Sequence, residues 1–267
     1  MTLALVLTVR DEADIIEAAI RYHLQAGVDR VYVAERHSQD STREILEALA
    51  GQDERVALFR RSVHTEPPED HREQHTDTSY GAQLAHRDGF DWVLAGDADE
   101  FWYHRLGLAH VFKWAETVGL NVVYFEITEF CPPRAPDYPP TMAWPHRRNW
   151  RGNISHPKVA FRAHPLAEVN HGNRKVQGIG RQRSGELRGA EILHLPFRSV
   201  EQMRSKAYHR VNSSQPYSRE LYLVPWRAIV ADPLRQYSLM AGRATRDGVL
   251  DHRLVECLEL ARAPVPA

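Results

Sequence analysis

An apolar run from Leu3 to Val9, interrupted only by Thr8, ends abruptly at Arg10-Asp11-Glu12. A run that short, bounded by charge, predicts a strand buried on both faces. Asp11 offers a helix N-cap. Ile15, Ile16, Ala19, Ile20, His23 and Leu24 follow at helical spacing, with Gly27 as a stop. Val31-Tyr32-Val33 predicts a second strand. Ser38, Asp40 and Ser41 form a turn and cap region, in which Asp40 has a structural role, before a helix faced by Ile45, Leu46 and Leu49. Arg55 to Phe59 predicts a third strand. The order β-α-β-α-β implies a parallel sheet with right-handed crossovers.

Residues 61 to 76 are polar, contain Glu66-Pro67-Pro68-Glu69-Asp70, and predict a long surface loop. A helix over Thr78 to Arg87 leads to a buried strand, Asp91 to Ala95. Asp97-Ala98-Asp99-Glu100-Phe101 stands at its carboxyl end, where open α/β sheets bind ligands. Leu108, Val111, Phe112, Ala115 and Val118 mark a helix, and Asn121 to Phe130 a returning strand. The pattern then changes. Residues 132 to 145 hold six prolines and exclude a regular element. Short strands are predicted at Lys158 to Phe161, Arg174 to Val176 and Ile192 to Leu195. A helix from Ser199 to Asn212 carries Val200, Met203, Ala207 and Val211 on one side. No repeat or linker divides the chain, so residues 1–267 read as one domain.

Composition adds exclusions. A net charge of -1 argues against a nucleic-acid partner, and 43% hydrophobic residues supply a real core. The two cysteines, Cys131 and Cys257, have no metal-ligand spacing, which points to a reduced, cytoplasmic protein. The first apolar run lacks a basic flank, and no segment approaches the ~18 apolar residues of a membrane span.

The most informative chemistry is Asp97-Ala98-Asp99. Two aspartates one residue apart, on a solvated turn, can face one hard divalent cation, Mn²⁺ or Mg²⁺. Such an ion would neutralise the charge that grows on a departing diphosphate. The plainer alternative is an acidic turn that caps the helix at Leu108 or pairs with Arg105.

The sequence around this motif resembles family 2 and family 92-like glycosyltransferases. The resemblance is carried by Val9-Arg10-Asp11-Glu12, Tyr22-His23-Leu24, Gly27-Val28-Asp29, Ser38-Gln39-Asp40-Ser41-Thr42 and Trp92-Val93-Leu94 before Asp97-Ala98-Asp99-Glu100-Phe101. It continues more loosely through Pro157-Lys158-Val159, His171-Gly172-Asn173 and His194-Leu195-Pro196-Phe197-Arg198-Ser199. It implies an α/β, Rossmann-like GT-A fold with a mixed, mostly parallel sheet. Residues 1–130 would form the nucleotide-sugar-binding half, and 131–267 the acceptor side with the C-terminal helices. The implied reaction is an inverting transfer from a uridine or guanosine diphosphate sugar to a saccharide, natural product or peptide.

On that resemblance Asp97 and Asp99 bind the metal, with His194 completing its shell and His171 as second choice. Val9, Arg10, Glu12 and Asp97 line the donor. Glu35 ends the second strand where the family usually has aspartate, and would read the base or ribose. Arg198 and Lys206 flank the start of the late helix and could hold diphosphate, as, more weakly, could Lys158. Glu129, near the end of its strand, is the choice for general base over Glu126 and Asp137. Two rivals stand behind this reading. A nucleotidyltransferase would carry a Gly-rich basic loop where Arg10-Asp11-Glu12-Ala13 stands. A metal-dependent hydrolase would show H-x-H or H-D clusters, which the sequence lacks.

Overall fold

The computed structural model describes residues 1–60, 70–133, 142–143, 157–170, 172–212, 220–247 and 249–263. The first half runs β1 (Leu3–Val9), α1 (Ile16–Gln25), β2 (Arg30–Glu35), α2 (Thr42–Gln52), β3 (Val56–Leu58), α3 (Asp70–Arg87), β4 (Trp92–Gly96), β5 (Glu100–Tyr103), α4 (Leu108–Thr117) and β6 (Val122–Glu129). The second half runs β7 (Met142–Ala143), β8 (Lys158–Arg162), β9 (Glu168–Val169), β10 (Val176–Gln177), β11 (Ser184–His194), α5 (Val200–Asn212), α6 (Glu220–Ala231), α7 (Pro233–Asp247), β12 (Val249–Leu250) and α8 (Arg253–Leu260).

Eight strands form one sheet in the order β3-β2-β1-β4-β8-β6-β11-β5. β8 runs antiparallel to β4 and β6, and β5 antiparallel to β11; the other pairings are parallel. The fold is thus the expected Rossmann-like α/β arrangement, mixed but mostly parallel. β1 shows why its sequence is uniformly apolar. Leu3, Leu5, Leu7 and Val9 join one core, while Ala4 and Val6 join another on the opposite face. A third, smaller cluster unites α5, α6 and α7 through Phe197, Met203, Ala207, Trp226, Ile229, Tyr237 and Met240.

The sheet must curl. β4 is fourth in order and β5 eighth, yet only Asp97, Ala98 and Asp99 join them. Four flat strand spacings cover roughly 19 Å. Four residue steps reach at most about 14 Å, and the Glu100 N–H to Asp97 O bond of 3.2 Å shortens that further. Closure also needs a small residue at the end of β4: a Cβ on Gly96 would lie 2.9 Å from Nε1 of Trp102 on β5.

Several elements depart from expectation. Asp11 is not a helix cap: α1 starts later, behind Ile15, and Asp11 adopts a left-handed φ of 54° while its Oδ1 accepts the Gln39 amide at 2.6 Å. α3 begins at Asp70, within the stretch read as a loop. Its first turns have no apolar stripe, and its inward face includes buried Asp77, Thr78 and Ser79. β11 runs eleven residues rather than four, because its first half is largely exposed and polar. Of residues 132 to 145, only 132–133 and 142–143 lie within the described residues.

As a sheet edge, β5 needs its outward backbone covered. α1 does this with two side chains. Tyr22 donates its hydroxyl to the Trp102 carbonyl at 2.9 Å, and the Trp102 amide donates to His23 Nε2 at 3.2 Å. His23 Nδ1 lies 2.6 Å from the Ala19 carbonyl, so it carries the proton and Nε2 stays bare. Burial lowers the pKa of this ring to about 4, and a proton on Nε2 would face an amide hydrogen. Because the folded value lies below the unfolded one, stability is complete above pH 6.5 and is lost as pH falls toward 4. The loss should reach about 3 kcal/mol. Urea denaturation of wild type and His23→Gln between pH 7 and 4 checks this. Parallel pH dependences for the two proteins would refute the role.

Candidate functional site

Strand register builds the site. β8 lies antiparallel to β4 with Leu94 opposite Ala160, which sets Lys158 level with Gly96 at the start of the acidic turn. β11 lies between β5 and β6, and its last residue, His194, pairs with Glu100 on one side and Glu129 on the other. Directly opposed residues on neighbouring strands share a face. Glu100, His194 and Glu129 therefore form one row, immediately beyond Asp97 and Asp99.

The two aspartates diverge. Asp97 Oδ2 takes the Lys158 ammonium at 2.7 Å, while its Oδ1 accepts Gln74 Nε2 at 3.1 Å and Asn173 Nδ2 at 3.2 Å. Lys158, itself buried, also pairs with Glu100 at 2.8 Å. Asp99 Oδ2 faces Lys206 at 2.5 Å, His194 Nε2 at 3.5 Å and Arg198 at 3.7 Å. The expectation of a solvated acidic turn is thus corrected for Asp99, which is only 3% exposed. Its charge persists there because the surrounding strand ends and α5 supply cations.

Burial dominates the protonation of the site, and specific partners then decide its direction. Burial alone would raise Asp99, but Lys206, His194 and Arg198 hold it well below the usual carboxylate range. Glu100 is pushed up to about 7, burial outweighing Lys158. His194 would be lowered by burial, yet the Asp99 carboxylate lifts it to about 10. Glu12 is raised to about 7 by burial against the pull of Arg198.

The remaining expected site residues fall around this centre. Val9 ends β1, level with Glu35 at the end of β2. Arg10 lies 3.6 Å from Asp11, which also meets His209 of α5 at 3.3 Å. Glu35 is bound within its own loop, accepting the Ser38 amide at 2.6 Å and Arg43 at 2.8 Å. Arg198 joins Glu12, bonds Asp14 at 2.7 and 2.8 Å, and reaches toward Asp99. Asp40 has a local structural role: its Oδ1 accepts the Thr42 amide and its Oδ2 the Ala13 amide. Glu129 Oε1 lies 3.7 Å from His194 Nδ1. Asp137 and His171 lie outside the described residues.

Three participants had no assigned role. Glu100 stands inside the acidic motif, but the motif assigns it no role of its own. Asn173 lies in the resembling stretch His171-Gly172-Asn173; here it is buried, left-handed at φ 56°, and bonded to Asp97. Gln74 had no signal at all, because its helical turn reads as loop.

Asp99, Glu100 and His194 offer ligand atoms that all lie within 4.8 Å of one another. Two carboxylates and an imidazole are a donor set for a divalent transition ion, and the imidazole favours Mn²⁺ over Mg²⁺. Among the described residues, His194 Nδ1 and Glu129 Oε2, both buried, have no hydrogen-bond partner. The residues present therefore fit the expected ion, with Asp97 adjoining the trio through Glu100 and Lys158.

No protein-family model and no curated protein matches the sequence. Solved structures give partial matches. S. aureus TarS matches at 14% identity over 89% of this chain and 43% of its own, with a TM-score of 0.45. A mannosyltransferase from Pyrobaculum calidifontis, in complex with GDP-Man and Mn²⁺, matches at 14% identity over 97% of this chain and 79% of its own, TM-score 0.45. Glucosyl-3-phosphoglycerate synthase from Mycobacterium tuberculosis, with Mn²⁺ and UDP, matches at 22% identity over 48% of this chain and 44% of its own, TM-score 0.32. The chain thus spans less than half the length of two of these three. Likeness at these scores carries no argument about function, which rests on the site itself. Among the described residues, no helix is long and apolar enough to cross a membrane.

Lys158 gives a direct check on the centre's electrostatics. Its removal leaves Asp97 and Glu100 without their shared cation. Breaking a buried pair from one side costs about 3 kcal/mol or more. Lys158→Met should show that loss in urea denaturation, and Lys158→Met with Glu100→Gln should recover much of it. Equal stability of wild type and Lys158→Met would contradict the arrangement.

Proposed function

We propose that the chain is a metal-dependent glycosyltransferase that uses a nucleoside-diphosphate sugar, of uridine or guanosine type, and transfers with inversion. The observation that carries the reading is the Asp99, Glu100 and His194 trio at the carboxyl end of β4. It is bordered by Lys206, Arg198 and Lys158, at the end of the sheet where open α/β sheets bind ligands. A Gly-rich phosphate loop, which a nucleotidyltransferase would place after β1, is replaced here by a loop that Glu12 locks to Arg198.

On this reading Asp99, Glu100 and His194 hold Mn²⁺ or Mg²⁺, which supplies Lewis-acid neutralisation of the leaving diphosphate. Val9, Arg10 and Glu35 border the nucleotide at the ends of β1 and β2. Asp97, fixed by Lys158, Gln74 and Asn173, faces the ribose or sugar side. Lys206 rests on Asp99 and on the Pro196 carbonyl at 3.3 Å through a partly exposed, flexible stem. With Asp99 holding a metal, the Lys206 ammonium would be free to face the phosphate oxygens. The acceptor oxygen bonds to the anomeric carbon as the bond to diphosphate breaks, and its proton passes to a base. The sequence nominates Glu129 for that task. The acceptor is a saccharide, natural product or peptide hydroxyl, and the expected setting is the cytoplasm.

Two measurements test the reading. Calorimetric titration of UDP and GDP should give binding with Mn²⁺ and none, or at least tenfold weaker binding, in EDTA. Identical affinity in both conditions would remove the metal. The second measurement uses the protonation of His194, which carries its proton up to about pH 10. A metal on Nε2 takes that proton's place, so affinity should rise with pH, with about one proton released per ion near pH 8. Buffers of differing ionisation enthalpy report the release, and it should vanish in His194→Ala. Proton release unchanged in that variant would exclude His194 as a ligand.

A further inference from the structure

Glu129 occupies a place that a general base does not need and a supporting carboxylate does. It sits at the end of β6, in register with His194, only partly exposed, with Oε1 3.7 Å from His194 Nδ1 and Oε2 buried without a partner among the described residues. His194 turns its other nitrogen, Nε2, toward Asp99 and the ligand trio. The Nδ1 atom is itself buried, with no hydrogen-bond partner among the described residues, and Glu129 is the carboxylate beside it. The backbone fixes the row. The Phe130 amide donates to the His194 carbonyl at 2.7 Å, and the Leu195 amide donates to the Asp99 carbonyl at 3.0 Å.

We propose that Glu129 is a positioning residue that accepts the Nδ1 proton of His194 and so presents the Nε2 lone pair to the divalent ion. A neutral imidazole has one protonated and one bare nitrogen, and the ligating nitrogen must be the bare one. Unassisted, the ring divides its proton between the two. A carboxylate at Nδ1 holds the proton there, orients the ring, and makes Nε2 more basic, as outer carboxylates do for metal-bound histidines. The 3.7 Å gap between Nδ1 and Glu129 Oε1 is one that a shift of less than about 1 Å closes to ordinary hydrogen-bond length. This inference rests on the proposed metal site. It moves Glu129 from the acceptor, where the sequence put it, to the ion.

The test uses the full chain and Mn²⁺ as probe. Calorimetry or the electron paramagnetic resonance of free Mn²⁺ should show affinity falling 10- to 100-fold in Glu129→Leu. The loss should be smaller in Glu129→Gln, whose amide oxygen still accepts from Nδ1. Ring ¹H–¹⁵N spectra with Mg²⁺ bound should show His194 protonated at Nδ1 in wild type and redistributed toward Nε2 in Glu129→Leu, a change that mere loss of a nearby charge would not produce. Unchanged Mn²⁺ affinity with abolished turnover in Glu129→Gln would overturn the proposal and restore Glu129 as base. Unchanged affinity in His194→Ala would overturn it from beneath, by removing the metal site on which it rests.

Discussion

The site depends on the three residues that carry the chain from β4 to β5. A connection of three residues between the fourth and eighth strands of a sheet is compatible only with strong curling. Curling sets the carboxyl end of β4 beside the ends of β11 and β6. It therefore brings Asp97 and Asp99, which are local in sequence, against His194 and Glu129, which are not. The glycine that permits the crossing, Gly96, lies one residue before the motif, and the tryptophan packed against it, Trp102, is anchored from behind by Tyr22 and His23. α1 thus contributes to the site without touching it.

A second consequence is that the second half of the chain is not an appendage. β8 and β11 are inserted between β4 and β5, and they supply Lys158 and His194 from opposite strand directions. α3 approaches from the other face. A Cβ on its Gly81 would come within 2.5 Å of Val6, so the helix lies close on β1 and its first turns can reach Asp97 through Gln74. Every element that reaches the acidic turn does so as part of the packed core.

Much of this was legible in the sequence where burial and periodicity agree. β1, α1, β4 and β6 announce themselves by apolar runs or stripes, and the position of Asp97-Ala98-Asp99 follows from β4 alone. His194 is legible because it follows the apolar pair Ile192-Leu193 and falls in the resembling stretch His194-Leu195-Pro196-Phe197-Arg198-Ser199. The illegible parts are those in which regular elements or buried positions are held by polar residues. The first turns of α3, the exposed half of β11, and Lys158 as a buried cation give no periodic signal, since their stability comes from partners distant in sequence. Glu100 was hidden differently: its identity was plain, but only the register of β5 against β11 shows that it stands beside His194.

The same partners explain how so many charges persist in a packed interior. Asp97, Asp99 and Glu100 are faced by Lys158, Lys206 and His194, while Arg198 answers Glu12 and Asp14. The centre is close to balanced on its own. On the proposed function, that balance constrains binding. A divalent ion added alone would have to displace Lys206 from Asp99 and the proton from His194. A diphosphate added alone would meet carboxylates that already hold the nearby cations. With both present, Asp99 and the imidazole would hold the ion, and the freed Lys206 ammonium would face phosphate. Each ligand should thus improve the site for the other, and by linkage the improvement is reciprocal. The coupling arises from the buried cations rather than from the aspartates, so it is a property of this chain's second half, which supplies Lys158, His194, Arg198 and Lys206.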